Sequence, residues 1–420
     1  MIKLSKNILK KESYMMSHGY NPEWSEGSVK PPIFQTSTFV FKNAAEGKRF
    51  FEIAYGKSTL NKNEQLGLIY SRINNPNMEI LEERLCVLEG SEDAAAFVSG
   101  MSAISTTMLS FLKPGDTILF SNPTYGGTHN FVFNFLNSIG VNIVSFHSKS
   151  NYSDIIKKLK KNELGKRLKM IFVETPANPT NSLIDLKLIS KVKKQISSDF
   201  GNEIISVVDN TYLGPIWQSP LKFGVDIVCY SATKFLNGHS DVIAGAIMGS
   251  KEMVSKVKNL RTFLGSMIAP YTAWLLTRSL ETLHIRMNHQ SENTKKIVDF
   301  LINHKKIEKV FFPGLKSMGE NQLKIFKSQC LEGGAMVGFV VRGDESSAFK
   351  VLNSLKLIKL AVSLGSNESL AQHPYSMTHC DVPDDDKRKI GITEGLIRLS
   401  VGIENAGDII NDLSNALKKI

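Results

Sequence analysis

Short apolar segments alternate with amphipathic, helix-like segments between about residue 80 and about residue 280 of this chain. The apolar segments have the length and composition of buried strands: AAAFVSG, DTILFSNP, VNIVSF, KMIFVETP, EIISVVDN and VDIVCYSATK. Helical stretches such as DLKLISKVKKQISSDF lie between them. This alternation predicts an α/β fold with a mainly parallel sheet covered by helices on both faces. Ligands of such sheets bind at the carboxyl ends of the strands, so we expect the functional residues there.

The sequence pattern divides the chain into an arm and two domains, because 420 residues exceed what one compact core usually reaches. Residues 1–80 carry many turn formers and little periodic pattern, which predicts an extended N-terminal arm. Residues 81–280 hold the strand–helix alternation. Residues 281–420 predict a smaller α+β domain, with helices around 291–304 and 407–419 and strands in GAMVGFVV and GLIRLSVG.

The net charge of +11 arises from 51 Lys and Arg against 40 Asp and Glu and does not indicate a nucleic-acid partner. Basic pairs lie in helical stretches without interleaved aromatic residues, so solvated lysine-rich helix faces explain them better. The sequence contains no run of about 18 uncharged apolar residues, so no membrane span is expected. The basic N-terminus lacks the apolar segment of a secretory signal, and an exposed arm is favoured there over an amphipathic targeting helix.

The four cysteines are scattered and form no C-x-x-C pair: Cys86, Cys229, Cys330 and Cys380. A disulfide framework or structural zinc site is therefore not expected, and a reducing cytoplasm fits this chain. A metal site could be argued from HPYSMTHC, which contains His373 and His379, but its spacing matches no zinc pattern. We expect no metal.

The most informative segment runs from Asp226 to Ser240, where an apolar strand ends in Ser-Ala-Thr-Lys. Burying the Lys234 ammonium is costly unless it is paired or loses its charge. The alternative to a functional role is therefore that Lys234 is an exposed lysine in a loop. A desolvated lysine has a lowered pKa and can form a Schiff base with an aldehyde. Ser231 and Thr233 lie beside it and could donate hydroxyl hydrogen bonds to a phosphate.

Two further segments strengthen this interpretation. The strand EIISVVDN ends in Asp209, a carboxylate that could pair with a protonated pyridine nitrogen; its alternative is a turn or helix cap. In FVSGMSAI a strand passes through a glycine turn into a helix. Backbone N–H groups of Gly100 and Met101 would face a phosphate at that helix N-terminus, although a plain tight turn is the alternative.

Together these segments resemble the Cys/Met-metabolism family of fold-type-I pyridoxal-phosphate (PLP) enzymes, which includes cystathionine γ-synthases, cystathionine lyases, methionine γ-lyases and homoserine-ester sulfhydrylases. Residues 226–240 are similar to the family's lysine segment throughout, and the resemblance extends from about Val29 to the C-terminus. It implies a seven-stranded, mainly parallel sheet between helices, a smaller α+β C-terminal domain, and pyridoxal 5'-phosphate bound to Lys234.

The resemblance also implies cofactor contacts, residue by residue. Lys234 would bind the cofactor and move protons, and Asp209 would hold the pyridine nitrogen. Tyr125, in NPTYGGT, would stack on the ring and help deprotonate the incoming amine. Asn178, in ETPANPT, would lie near the ring hydroxyl, with Glu174 close by. The phosphate would be bound by four residues of the same chain and a pair from a neighbouring subunit: Gly100, Met101, Ser231 and Thr233, then Tyr70 and Arg72.

Substrate contacts follow from the same resemblance. Arg398, in GLIRLSVG, would clamp the substrate α-carboxylate, a bidentate task suited to guanidinium, and Ser363 would support it. Tyr70 would join Lys234 and Tyr125 in catalysis. Because Tyr70 and Arg72, in YSRINNPN, would serve the site of a neighbouring subunit, the active form would be at least a dimer, and the family suggests a homotetramer of two such dimers with shared sites.

The choice of reaction depends on the residue before Ser363. Cystathionine γ-synthases and γ-lyases usually carry a glutamate there, whereas this chain has Val362, which is closer to methionine γ-lyases and suits an uncharged thioether. Two departures oppose this: Gly127 stands where methionine γ-lyases typically have cysteine, and the segment 42–68 is longer than the family norm and could reshape the pocket entrance.

We therefore expect a γ-elimination like that of methionine γ-lyases, with 2-oxobutyrate, a thiol and ammonia as products. The alternatives are γ-replacement on an O-acylhomoserine, as in cystathionine γ-synthases, and cystathionine γ-lyase activity. A non-catalytic PLP-binding protein is the non-enzyme alternative; it would be expected to lack a working residue, and none is missing. The expected partners are a small sulfur amino acid and further copies of this chain.

Overall fold

The computed structural model describes residues 9–62, 64, 66–380 and 382–420. The predicted arm and the predicted longer segment 42–68 each include positions outside this set. The division at residues 80 and 280 stays a prediction.

The larger sheet of the described residues has seven short strands: β1 (Asp93–Phe97), β2 (Thr117–Ser121), β3 (Asn142–Phe146), β4 (Leu168–Glu174), β5 (Ile205–Asp209), β6 (Ile227–Ser231) and β7 (Gly245–Gly249). Their spatial order is β1-β7-β6-β5-β4-β2-β3. Strand β7 is antiparallel to β1 and β6, and the other neighbours are parallel. The predicted seven-stranded, mainly parallel sheet is confirmed, with β7 as the strand that the sequence analysis did not identify.

Apolar residues on both faces explain why these strands read as continuous apolar runs. Successive side chains of a strand point to opposite faces. In β5, Val207 belongs to the apolar cluster on one side of the sheet and Val208 to the cluster on the other side. Each fully buried valine of this kind contributes roughly 1.5–3 kcal/mol to folding.

Helices connect the strands and cover the sheet: α1 (Lys11–Tyr14), α2 (Ala44–Ala54), α3 (Pro76–Glu89), α4 (Gly100–Phe111), α5 (Gly126–Asn130), α6 (Tyr152–Lys160), α7 (Leu186–Phe200), α8 (Gly214–Trp217), α9 (Lys251–Leu264) and α10 (Pro270–Leu280). A π-helical stretch, Phe131–Leu136, follows α5. None of the helices in the described part of the chain is both long and apolar enough to cross a membrane.

The C-terminal part forms a second, smaller sheet, as predicted. Its strands are β8 (Ile307–Phe311), β9 (Met336–Val341), β10 (Lys359–Leu360), β11 (Leu370–Gln372) and β12 (Leu396–Ser400), in the order β10-β11-β12-β9-β8. The accompanying helices are α11 (Leu283–Ile302), α12 (Glu320–Gln329), α13 (Glu345–Ser354), α14 (Asp384–Lys389) and α15 (Ala406–Leu417). Helix α11 begins at Leu283, earlier than the prediction around 291–304.

The arm is more ordered than its sequence suggested, because α2 is a regular helix within the predicted extended region. The Asn43 side chain caps it by accepting from Glu46 N at 2.9 Å. Arg49, in α2, fixes the segment that follows this helix by donating to both carboxylate oxygens of Glu64, at 2.9 and 2.6 Å. Further along, the Arg84 guanidinium of α3 is buried and donates to backbone carbonyls of the arm. The arm is thus fixed to the main domain by buried polar contacts.

Candidate active site

Lys234 lies three residues beyond the end of β6 and faces the smaller domain. Its Nζ donates to Ser363 Oγ at 2.7 Å. Burial, followed by the positive charge of Arg398, lowers the pKa of Lys234 from 10.5 to about 8. About half of this amine is therefore neutral, and nucleophilic, at pH 8, which is far more than an ordinary lysine provides.

Asp209 and Glu174 end neighbouring strands, and the register of β4 and β5 places them side by side. Both carboxyl groups are buried, which raises the pKa of each, and the charge of Asp209 raises the pKa of Glu174 further. Thr211 holds Asp209 Oδ1 through its backbone N–H at 3.0 Å and its hydroxyl at 2.6 Å. Two adjacent buried carboxyls cannot both ionise cheaply, so a cationic group opposite Asp209 would be bound favourably.

Glu174 also positions two predicted site residues. Its Oε2 accepts from Tyr125 N at 2.6 Å, and its Oε1 accepts from Asn178 N at 2.9 Å. The Tyr125 side chain is 46% exposed at the start of α5, so its ring face is available for stacking. Glu174 therefore fixes the backbone of both the tyrosine turn and the asparagine loop.

Gly100 begins α4 directly against the last residue of β6. A Cβ atom at Gly100 would lie 2.9 Å from both Cα and Cβ of Ser231, so a larger residue would push these elements apart. The Ser99 side chain caps the helix by accepting from Ser102 N at 3.0 Å. Such a helix start offers backbone N–H groups and a positive dipole to an anion, and Met101 follows Gly100 in this first turn. The structure therefore brings three predicted phosphate ligands together.

The fourth predicted phosphate ligand, Thr233, is engaged by the backbone. Its hydroxyl donates to Ala244 O at 3.2 Å and accepts from Ala244 N at 2.9 Å. These bonds close the loop that carries Lys234.

Arg398 comes from β12 and reaches the lysine from the smaller domain. It is buried, and its Nη1 donates to Asn178 Oδ1 at 3.1 Å while its Nη2 donates to Ser363 O at 2.6 Å. Ser363 has φ of 91°, a left-handed backbone conformation that costs a non-glycine residue about 1–3 kcal/mol and often marks a functional site. Val362, next to it, is 57% exposed.

Tyr70 and Arg72 are placed by the arm. Arg72 Nη1 donates to Thr262 O, in α9, at 3.0 Å, and its guanidinium carbon lies 5.7 Å from the centroid of the Tyr70 ring. The Tyr70 side chain is 41% exposed. Their predicted role at a neighbouring subunit's site stays a prediction.

Two residues of this region were not identified from the sequence. Thr211 holds Asp209 as described, and its position two residues after the aspartate was a usable signal. Gln372 is buried and stands opposite Arg398 in the register of β11 and β12. No motif or spacing indicated Gln372, because its position depends on strands that are distant in sequence.

Comparison with known proteins identifies the family. The model of the Cys/Met metabolism PLP-dependent enzymes matches residues 12–418. This chain belongs to that family. An L-methionine gamma-lyase from Fusobacterium nucleatum is 40% identical over 396 residues, which cover 94% of each chain. A cystathionine gamma-lyase from Bacillus subtilis is 35% identical over 98% of this chain and 100% of that one.

Solved structures show the same fold. The crystal structure of a cystathionine gamma synthase from Xanthomonas oryzae pv. oryzae, in complex with aminoacrylate and cysteine, has a TM-score of 0.86 and 30% identity. The match covers 98% of this chain and 99% of that chain. The protein is therefore an enzyme of the PLP-dependent trans-sulfuration family.

The residues present fit pyridoxal phosphate. A buried carboxylate, Asp209, is available to a protonated ring nitrogen, and the α4 N-terminus at Gly100, packed closely on Ser231, offers backbone N–H groups to a phosphate. A lysine with a lowered pKa and an exposed tyrosine ring complete the set, at Lys234 and Tyr125. These groups supply what the cofactor's nitrogen, phosphate, aldehyde and ring face each require.

Covalent loading of the apoenzyme with PLP should become faster as pH rises, with a half-maximal rate near pH 8. The reason is that only the neutral Lys234 amine attacks an aldehyde, and its pKa is about 8 rather than 10.5. Stopped-flow absorbance over a series of pH values would measure this. Arg398→Met should move the midpoint upward, since one positive neighbour is removed; a midpoint near 10.5 in the wild-type protein would contradict the account.

Proposed function

We propose that this enzyme is a methionine γ-lyase, which converts L-methionine and water into 2-oxobutyrate, methanethiol and ammonia. The observation that carries the proposal is the position of Val362. This uncharged side chain is 57% exposed beside Ser363, which bonds both Lys234 and Arg398. An apolar contact there suits a thioether tail and offers nothing to the charged end of cystathionine. The similarity to the Fusobacterium nucleatum L-methionine gamma-lyase supports the same conclusion.

The site residues divide the work of the reaction. When bound, pyridoxal phosphate withdraws electrons from the α-carbon of the amino acid. Arg398 binds the α-carboxylate through N–H groups that Asn178 and Ser363 leave available, because a guanidinium has five donors. Lys234, neutral near its pKa of about 8, takes the α-proton and then serves the later proton transfers. Tyr125 assists at the amine, and the thiolate released from Cγ leaves as methanethiol.

We propose that cofactor binding follows the sequence-based assignment. Lys234 anchors the aldehyde, Asp209 pairs with the ring nitrogen and Asn178 contacts the ring hydroxyl. Residues at the start of α4 and the end of β6 bind the phosphate: Gly100, Met101, Ser231 and Thr233. This requires Thr233 to add the phosphate to the bonds that it already makes with Ala244.

A homotetramer built from two dimers with shared sites is the proposed assembly. Its support is a group of exposed apolar side chains beside the site: Val98 after β1, Ile243 before β7 and Phe263 near the end of α9, with exposed fractions of 45%, 70% and 76%. The antiparallel pairing of β1 and β7 brings the first two together, and Val98 N donates to Ser266 O, beyond α9. Exposed apolar surface of this kind favours burial against a second copy.

The same assembly gives the arm its role. Arg72 contacts the end of α9 at Thr262, next to the apolar group, and Tyr70 lies beside Arg72. We propose that a second copy receives both residues at its own cofactor phosphate. We further propose an arm over residues 1–80, a PLP-binding domain over 81–280, a C-terminal domain over 281–420, and location in the cytoplasm, in which the four free cysteines would stay reduced.

A substrate panel tests the proposed reaction. Purified, PLP-loaded enzyme would be given methionine, cystathionine, homocysteine, or O-acetyl- and O-succinylhomoserine with and without cysteine. We expect the highest kcat/KM for methionine, measured as 2-oxobutyrate formed. Thioether product from an acylated homoserine and cysteine, with no turnover of methionine, would instead establish γ-replacement.

Val362→Glu should lower kcat/KM for methionine by about 10- to 200-fold, because it places a charge beside the thioether, and should raise the relative rate with cystathionine. Val362→Ile, which keeps the position apolar, is the matched control and should stay close to wild type. The ratio of the two kcat/KM values is the measurement. An unchanged ratio in Val362→Glu would show that this position does not contact the substrate tail.

A further inference from the structure

Gln372 is the buried neighbour of Arg398 in the smaller sheet. It is fully buried and stands directly opposite Arg398 where β11 and β12 pair. With its amide oxygen turned toward the arginine, this oxygen lies 3.1 Å from Nη1, 3.2 Å from Nη2 and 3.2 Å from Nε. The opposite orientation would set an amide N–H₂ against a buried guanidinium, donor against donor, at the cost of an unsatisfied polar group.

The three distances determine where the oxygen sits. An atom nearly equidistant from all three guanidinium nitrogens lies over the face of the group and not at its edge. Contact at the face leaves the edge N–H groups of Arg398 available, where Asn178 Oδ1 and Ser363 O already take two of them. Gln372 thus restrains the plane of the guanidinium without occupying the donors that a carboxylate would need.

The oxygens that contact Arg398 are all neutral. They come from two amide side chains and one backbone carbonyl, on Gln372, Asn178 and Ser363, and the Tyr212 hydroxyl beside them is neutral as well, because burial raises its pKa. Among the described residues, no carboxylate forms an ion pair with Arg398. A buried cation oriented by neutral groups keeps its charge uncompensated, so an incoming carboxylate supplies the counter-charge.

Gln372 is itself fixed by the loop beside the tyrosine turn. In the same amide orientation, its oxygen accepts from Thr378 Oγ1 at 3.1 Å. The carbonyl oxygen of Thr378 lies only 2.9 Å from where a Cβ atom on Gly126 would be, so this loop packs against the residue that follows Tyr125. The amide is therefore placed by the loop as well as by its own strand.

We infer that Gln372 is a positioning and specificity-determining residue, whose neutral oxygen orients Arg398 while reserving its charge for the α-carboxylate of the substrate. The inference rests on the proposed role of Arg398. It explains why the amide is required: a glutamate of the same shape would hold the guanidinium more strongly, yet would neutralise it before substrate arrives.

Gln372→Glu and Gln372→Met test this inference in the PLP-loaded enzyme. For Gln372→Glu we expect KM for methionine to rise about 100-fold, with a much smaller change in kcat and with melting temperature and cofactor absorbance retained. Gln372→Met, of similar volume, should raise KM about 10-fold through loss of orientation alone. If the role of Gln372 were purely structural, KM would rise more in Gln372→Met than in Gln372→Glu, because the new ion pair in Gln372→Glu would stabilise the fold and leave KM unchanged. That order would overturn the inference.

A carboxylate-free ligand separates orientation from general damage. The binding of 3-(methylthio)propylamine, followed by the change in cofactor absorbance, should be equal in wild type and both variants; equally weakened binding would contradict the inference. Thr378→Val, which leaves Gln372 in place, should raise KM for methionine a few-fold, and an unchanged KM would remove the loop from the account. Arg398→Ala is the reference variant. If Arg398→Ala alone keeps the wild-type KM for methionine, the proposed role of Arg398 fails. If Arg398→Ala binds methionine weakly while Gln372→Glu binds it normally, only the inference about Gln372 is overturned.

Discussion

Replacing Lys234 with alanine should reduce methionine turnover by at least about 10⁴-fold and abolish covalent attachment of the cofactor. The substitution removes both the amine that bonds the cofactor aldehyde and the group that moves the α-proton. Loss of the Nζ contact with Ser363 Oγ should cost little stability, because the desolvation of the Lys234 amine in the folded protein is unfavourable and offsets that contact. Absorbance of the purified protein and release of 2-oxobutyrate are the two measurements.

Lys222→Ala is a suitable control for that experiment. Lys222 is an exposed lysine of the same sheet domain, in the short helix Pro220–Phe223, and its replacement should leave turnover and absorbance unchanged. Cofactor that stays covalently bound in Lys234→Ala would show that another lysine is the anchor.

Asp209→Asn should lower kcat by about 10²–10³-fold, the second largest effect that we expect. Asparagine keeps the size of the side chain and can still accept from Thr211, but it cannot carry the negative charge that stabilises a protonated ring nitrogen. Without that proton the cofactor withdraws electrons poorly from the α-carbon. Affinity for PLP should fall much less than kcat, because the lysine and phosphate contacts remain.

Thr211→Val is the matched test of how Asp209 is held. It removes the 2.6 Å hydroxyl bond and keeps the 3.0 Å backbone bond, so a loss of about 10-fold in kcat is expected. If Asp209→Asn kept more than about a tenth of wild-type kcat, a pyridinium partner would have to be sought elsewhere, with Glu174 as the neighbour to examine.

The parts of the fold that could be predicted were those in which local sequence and burial agree. Strands β2, β4 and β5 are buried on both faces, so most of their residues are apolar and the strands are visible as apolar runs. Strand β7, GAIMG, was missed because glycine stands at both ends and leaves only a short apolar stretch between them. Helix α2 was missed because turn-forming residues before and after it masked an amphipathic stretch.

The site could be predicted to the same extent and for similar reasons. Lys234 and Asp209 follow apolar strands, and their residue types at strand ends indicate the chemistry directly. Arg398 and Asn178, by contrast, were assigned to the site only through the family resemblance, and their contact was not predicted. Gln372 could not be identified from the sequence, because its position depends on the pairing of β11 with β12 and a three-residue strand has no periodic pattern.

The central claim, γ-elimination from methionine, is tested most directly by the stoichiometry of products from methionine alone. PLP-loaded wild-type enzyme would be incubated with L-methionine, and 2-oxobutyrate, methanethiol and ammonia would be quantified in the same sample. The account predicts equal molar amounts of all three. Absence of methanethiol, together with cystathionine formed from O-succinylhomoserine and cysteine, would contradict it and would make the enzyme a γ-replacement transferase.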